Sequence, residues 1–168
     1  MGQEIERKFI VRGDAYKALA FNHTHIRQGY IASGNGRTVR VRLRDDRGYI
    51  TIKGPSVDGG LSRYEFETEI SAADANDLLK LCLPGLIEKT RWLVRSASHV
   101  FEVDEFEGDN EGLVMAEVEL QSADESIEKP EFIGQEVTGD RRFYNAHMRV
   151  NPYCLWRDEF AAQQGESA

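Results

Sequence analysis

No apolar stretch in this 168-residue chain exceeds four residues, Leu113 to Ala116 being one such run. A membrane-spanning helix needs about 20, so no membrane is expected. From Met1 to Lys8 the chain is too charged for a secretory leader. Glu6 stands where an N-myristoylation pattern calls for Ser or Thr. Cysteine is nearly absent. Cys82 and Cys154 lie too far apart for a metal-ligand spacing and read as two reduced thiols of a cytoplasmic protein. An excess of basic residues is missing too: 21 Lys and Arg face 29 Asp and Glu, a net charge of −8. That argues against a general nucleic-acid-binding surface, but not against a concentrated basic site inside an acidic shell. There is no internal repeat, and the length suits one domain, expected over 1–160 with a frayed tail at 161–168. The expected partner is a small molecule, bound by a monomer or homodimer.

What the chain has in quantity is alternation. Thr38 to Arg44 alternates β-branched or apolar residues with arginine, and Glu65 to Ile70 alternates carboxylates with mostly apolar residues. Glu4 to Lys8, Tyr49 to Lys53, Lys89 to Val94, Phe101 to Asp104 and Ala116 to Leu120 behave alike. A period of two means strands with one charged and one apolar face. Turn signals at Ser33 to Gly36, Asp45 to Gly48 and Glu107 to Gly112 separate the runs. The spacing predicts an antiparallel meander of about eight strands. Helices are expected at Ser71 to Leu83, with Ser71 as N-cap, and at Asp14 to Ala20. Two more are expected at Ala123 to Glu128 and from Asp140 to about Met148.

In an ordinary sheet the charged face meets water, and charges of both signs are mixed on it. Here each strand carries a block of one or two chemical types. A closed eight-stranded barrel with a charged lumen and helices packed outside, an α+β fold, accounts for this pattern. Such a barrel is about wide enough for one small ligand. Val39, Val41, Phe66, Val103 and Val118 are then expected to face outward, under helices or loops. The lumen would hold the cations Lys8, Arg40, Arg42, Lys53, Lys89 and Arg91. It would also hold the anions Glu4, Glu6, Glu65, Glu67, Asp104, Glu117 and Glu119. Arginine forks and lysine point charges suit a polyanion, and carboxylates suit hard divalent cations. Six cations against seven anions leave about −1. Two divalent ions would raise that to about +3, near the roughly −4 to −5 of a triphosphate.

The ordered series Glu4-x-Glu6-x-Lys8, Gln28-Gly29-Tyr30, Arg40-x-Arg42, Thr51-Ile52-Lys53, Glu65-x-Glu67, Glu88-Lys89-x-Arg91, Asp104, Glu117-x-Glu119 and Glu136-Val137-Thr138 covers about residues 3–150. It resembles the CYTH superfamily, the triphosphate tunnel metalloenzymes, and most of all their small single-domain bacterial members. The resemblance implies an eight-stranded antiparallel tunnel, a divalent metal such as Mg²⁺ or Mn²⁺, and hydrolysis of a triphosphate. Inorganic tripolyphosphate is the leading substrate. Class IV adenylate cyclase and thiamine or nucleoside triphosphatase are the alternatives. It implies a triphosphate grip by Lys8, Arg40, Arg42, Lys53, Lys89 and Arg91, and metal ligation by Glu4, Glu6, Glu117 and Glu119, with Asp104 completing the metal set. Lys8, Tyr30, Lys89, Glu65 and Glu67 are the implied catalytic group. Glu69 continues the strand parity and is held as a lumen candidate, and Trp92 and Trp156 read as packing residues.

Overall fold

The computed structural model describes residues 2–166. In chain order its elements are β1 (Gly2–Val11), α1 (Tyr16–Leu19), β2 (Asn22–Gly34), β3 (Arg37–Arg44), β4 (Arg47–Lys53), β5 (Ser62–Ile70), α2 (Ala72–Leu79), β6 (Ile87–Ser96), β7 (His99–Phe106), β8 (Val114–Glu119), β9 (Ile133–Glu136), α3 (Asn145–Met148) and α4 (Arg157–Glu166). The β2–β3 turn places Asn35 at φ 52° and Gly36 at φ 76°. Two successive positive φ values suit the twist of a tight hairpin, and Asn-Gly is the pair that adopts them most easily. Ser71 caps α2 as expected, its hydroxyl accepting from the Asp74 N–H at 3.0 Å.

The strands close in the order β1-β5-β4-β3-β2-β6-β7-β8 and back to β1, with every adjacent pair antiparallel. The eight-stranded barrel is therefore present, but it is not a simple meander. β2 pairs with β6, because the chain leaves β5 through α2, which packs across β4, β3 and β2 before β6 begins. A ninth strand adds to the outside of closure. β5 pairs with Gly2 to Ile5 of β1, and β9 pairs with Phe9 and Val11.

Alternation sets what faces inward. The lumen columns on four strands read Glu4-Glu6-Lys8-Ile10, Arg91-Lys89-Ile87, Glu102-Asp104-Phe106 and Glu119-Glu117-Met115. Each runs from charge into hydrocarbon. Ile10, Ile87, Phe106 and Met115 meet Phe143, Met148, Trp156 and Phe160 in one apolar cluster. This cluster forms a floor across one end of the barrel, contributed partly by strands and partly by the C-terminal segment. Outside the wall, Phe9, Phe101, Val103 and Val118 pack with Tyr16, Phe132 and Ile133, and Trp92 joins them. Val41 packs under Ala75 and Leu79 of α2.

Four expectations are revised. Ala123 to Glu128 is a turn: the Glu125 carboxylate accepts from the Gln121 N–H at 3.3 Å and pairs with His99, local bonds that compete with a helix. Asp140 does cap, accepting from the Arg142 N–H at 3.1 Å, but Tyr144 at ψ 125° divides the segment into a 3₁₀ turn, Arg141–Phe143, and α3. The break lets both Phe143 and Met148 enter the floor. Of the expected frayed tail, residues to Glu166 continue α4, and 167–168 lie outside the described residues. Val39 and Phe66 do face outward but are only half-buried. They share a cross-strand row with Ile52, 42% exposed. α2 has eight residues, about 12 Å, and covers only the Val41 end of that wall.

The phenol of Tyr16 on α1 donates to the Glu105 carboxylate of β7. That bond, with the nearby Lys17, holds the Glu105 carboxyl below its ordinary value. Its contribution is thus present above the ordinary carboxylate range and is lost as pH falls through it. Tyr16→Phe is expected to cost about 1 kcal/mol at pH 7 in urea unfolding. The difference from wild type should shrink toward zero as the pH falls below about 4.

Candidate active site

Two cavities occupy the charged part of the barrel. The larger, about 640 Å³, is lined by nine of the fourteen residues singled out from the sequence: Glu6, Lys8, Tyr30, Arg40, Arg42, Lys53, Lys89, Arg91 and Glu117. The smaller, about 370 Å³, is lined by Glu4, Glu65, Glu67 and Glu119. Asp104 lines neither. Glu69 is also outside both, exposed and paired with Arg47 at 3.8 Å. Cations thus gather around one space and carboxylates around the other, with Glu6 and Glu117 on the cationic side.

Strand register makes the local pairs. Lys53 sits opposite Glu65 and reaches Glu4 at 3.0 Å and Glu65 at 3.4 Å. Lys8 sits opposite Glu117, with Nζ 3.7 Å from its carboxylate and 4.7 Å from the centre of the Tyr144 ring. Arg40 donates to the Thr51 hydroxyl at 3.0 Å, which donates onward to Glu67 at 2.8 Å. The Nε of Arg40 is buried without a partner among the described residues. Arg91 donates to both oxygens of Asp104, at 2.7 and 2.9 Å, and to Glu102 at 2.8 Å. Lys89 donates to Asp104 at 2.7 Å.

Arg42 differs from the other five lumen cations. Among the described residues it has no carboxylate within 4.0 Å. Its Nε and Nη2 instead donate to the neutral Gln28 oxygen, at 2.9 and 2.7 Å. Burial, then Arg40 and Arg91, bring its guanidinium down to about 9. A buried cation with no counter-charge is costly, and it faces the larger cavity. Burial also brings Lys89 down to about 7, with Arg91 and Arg42 adding to it and Asp104 opposing. These groups together make a site that an anion would stabilise.

The carboxylates show the opposite imbalance. Burial, and then Glu117, push Glu6 up to about 8. Burial works against the charge of Glu117 as well, but Lys8, Arg91, Lys89 and Lys53 outweigh it and hold that carboxyl well down. Glu119 is raised by burial and by Glu102 and Glu4, and Glu4 is raised by burial. Crowded, oxygen-only donors with raised affinity for positive charge fit a hard divalent cation. Their oxygens are spread around the cavities rather than gathered. Among the described residues, the one trio of possible ligands within 4.8 Å of each other is His25, Glu88 and Glu107, which lines neither cavity.

Asp104 is set apart by both its burial, 1% exposed, and its bonds. Arg91 and Lys89 occupy its two oxygens and hold its carboxyl below the ordinary value against the effect of burial. Sequence reasoning passed over Glu102, although it shares the parity of Asp104, and it left Gln28 and Thr51 without roles inside their motifs. It missed Arg141, Tyr144 and Asn145 altogether. These line the larger cavity from a segment with no alternation to mark them. Gly29, between Gln28 and Tyr30, has a steric reason. A Cβ there would lie 2.6 Å from Leu86 Cδ2 and 2.8 Å from Cys82 Sγ, so only glycine lets that loop cover β2.

Four similarities to known proteins bear on this site. The family model for the CYTH domain matches residues 2–144. An inorganic triphosphatase of Acetivibrio thermocellus is 50% identical over 159 residues, 94% of this chain and all of that protein. An inorganic triphosphatase of Nitrosomonas europaea is 32% identical over 152 residues, 88% of this chain and 97% of the other. A crystal structure of an inorganic triphosphatase superimposes with a TM-score of 0.60 at 28% identity, covering 88% of this chain and 94% of that one.

Asp104→Asn leaves buried Lys89 without its counter-charge and Arg91 with Glu102 alone. It is expected to cost about 3–5 kcal/mol, read as a lowered urea midpoint in metal-free protein. Glu119→Gln, at a carboxylate only partly withdrawn from solvent, should stay within about 0.5 kcal/mol of wild type.

Proposed function

Since this chain belongs to the CYTH family, we propose that it hydrolyses inorganic tripolyphosphate to pyrophosphate and phosphate with the help of Mg²⁺ or Mn²⁺. The observation that carries the reading is Arg42: a buried guanidinium with no carboxylate partner among the described residues, facing a cavity ringed by Lys8, Arg40, Lys53, Lys89 and Arg91. A polyanion supplies the charge that this arrangement lacks.

In the proposed reaction the triphosphate lies in the larger cavity. Arg40 and Arg42 hold phosphoryl oxygens through guanidinium N–H groups, and Lys8, Lys53, Lys89 and Arg91 complete the cationic wall. Water attacks the terminal phosphorus as the bond to the bridging oxygen breaks, and the leaving pyrophosphate takes the negative charge. Lys8 and Lys89 meet that charge as it develops. Glu65 and Glu67, on the side of the smaller cavity, orient the attacking water, and one of them accepts its proton, Glu67 being linked to Arg40 through Thr51. Tyr30 hydrogen-bonds to Gln28 at 3.4 Å and forms part of the phosphate wall. Glu4, Glu6, Glu117 and Glu119 would hold the divalent cation, which supplies charge neutralisation at the phosphoryl oxygens and a more acidic water. Asp104 serves as the counter-ion that fixes Lys89 and Arg91. The substrate is a small molecule and no nucleic acid takes part. The chain works as a monomer or homodimer in the cytoplasm, where its two free thiols, Cys82 and Cys154, stay reduced.

Tripolyphosphate is expected to react with a higher kcat/KM than ATP or thiamine triphosphate, with no cyclic AMP formed from ATP, in a phosphate-release and product assay. EDTA should abolish turnover and added Mg²⁺ or Mn²⁺ restore it. Arg42→Ala should lower kcat/KM by about 30- to 1,000-fold, or ~2–4 kcal/mol of transition-state stabilisation. Cyclic AMP as the main product, or full turnover in excess chelator, would overturn the reading.

A further inference from the structure

Two cations of the proposed phosphate site are tied to one side chain outside the barrel strands. The Asn145 oxygen, on α3, accepts from Lys89 Nζ at 2.9 Å and from Gln28 Nε2 at 3.2 Å. Gln28 in turn presents its own oxygen to Arg42. The orientation of both amides follows from the charges. Arg42 can only donate, so Gln28 must turn its oxygen toward it. That leaves the Gln28 amino group facing Asn145, which must therefore present oxygen, and Lys89 requires the same.

We infer that Asn145 is a positioning residue for phosphoryl transfer, orienting Lys89 directly and Arg42 through Gln28. This rests on the triphosphatase reading above. An ammonium group has three N–H donors. Asp104 takes one at 2.7 Å and Asn145 another, which leaves one for an oxygen in the cavity that Lys89 lines. Without Asn145, Lys89 Nζ is held at Asp104 alone and can rotate. Gln28, fully buried, loses the shorter of the two bonds made by its amino group and keeps the longer one to the Tyr30 hydroxyl, at 3.4 Å, so the amide carrying Arg42 is held less firmly. The acceptor is neutral, which matters because Asp104 already balances Lys89. A carboxylate at position 145 would keep the same two acceptor bonds but repel phosphate. Positioning and charge can thus be separated by substitution.

The test is steady-state hydrolysis of tripolyphosphate with Mg²⁺ by wild type, Asn145→Ala, Asn145→Asp, Lys89→Ala and the Asn145→Ala/Lys89→Ala double variant. Calorimetric binding of tripolyphosphate to the metal-free proteins and thermal melts accompany it. Asn145→Ala is expected to lower kcat about tenfold or more with KM within about threefold. In the Lys89→Ala background it should add less than about twofold, because its main route of action is gone. Asn145→Asp should keep kcat within about threefold and raise KM. Unchanged kcat in Asn145→Ala, an equal loss in both backgrounds, or an equal kcat loss in Ala and Asp variants would overturn the inference. If Asn145→Ala fails to fold, the kcat and KM of Asn145→Asp decide. A wild type that does not cleave tripolyphosphate refutes the triphosphatase reading instead. Binding then decides: weaker binding by Asn145→Ala supports positioning, and equal binding ends it.

Discussion

Charge buried inside a closed sheet is the constraint on which the rest of this molecule depends. A β-strand has two faces, and in this chain the polar one points inward. Each ionised group taken from water costs several kcal/mol unless another group answers it. The register supplies those answers across neighbouring strands: Lys53 beside Glu65, Lys8 beside Glu117, Arg91 beside Asp104. Apolar faces are left outside, and they need cover. α1 with the segment around Phe132, α2, and the C-terminal helices each supply a separate apolar cluster. α1, α2 and the Phe132 segment serve the sheet's outer wall, and the C-terminal helices close the floor of its charged interior.

The pairing inside the lumen is incomplete in a directed way. Most cations have carboxylates, but Arg42 has an amide. The carboxylates crowd one another and are raised toward protonation at Glu4, Glu6 and Glu119. One region lacks negative charge and the other lacks positive charge. Lys53 and Arg40 bridge the two, reaching Glu4, Glu65 and Glu67, and the strand register leaves Arg42 outside that pairing. Preorganised charge of this kind loses little on reorganisation when a ligand binds, which is the condition for strong electrostatic stabilisation of a transition state.

The barrel and the two groups of lumen charge were legible because parity is a local property of sequence. Lys8, Arg40, Arg42, Lys89 and Arg91 could be placed in one space by counting alone. Which carboxylate answers which cation was not legible, because that depends on register between strands far apart in sequence. Asp104 therefore read like Glu117, although its oxygens belong to Arg91 and Lys89. The β2–β6 neighbour relation was hidden in the path of α2. Tyr144 and Asn145 carry no periodic signal, since an extended Tyr144 interrupts the helix that would have marked them. The row of Val39, Ile52 and Phe66 shows the converse: parity correctly gave their direction, but a two-turn helix cannot cover a whole wall.

The pairing of β1 has a consequence for the order of assembly. This strand comes first in the chain, yet its neighbours are β5, β8 and β9. β2 to β5 and β6 to β8 each form from consecutive hairpins, and both sets can exist as open ribbons whose charges are still hydrated. Once β2 has paired with β6, the arrival of β1 between β5 and β8 closes the ring and removes that water. Because the contacts span most of the chain, closure carries a large loop entropy, and it also carries the dehydration of Glu6, Lys8 and Glu117 together. Closure of the ring and creation of the dehydrated, charged interior are thereby a single event.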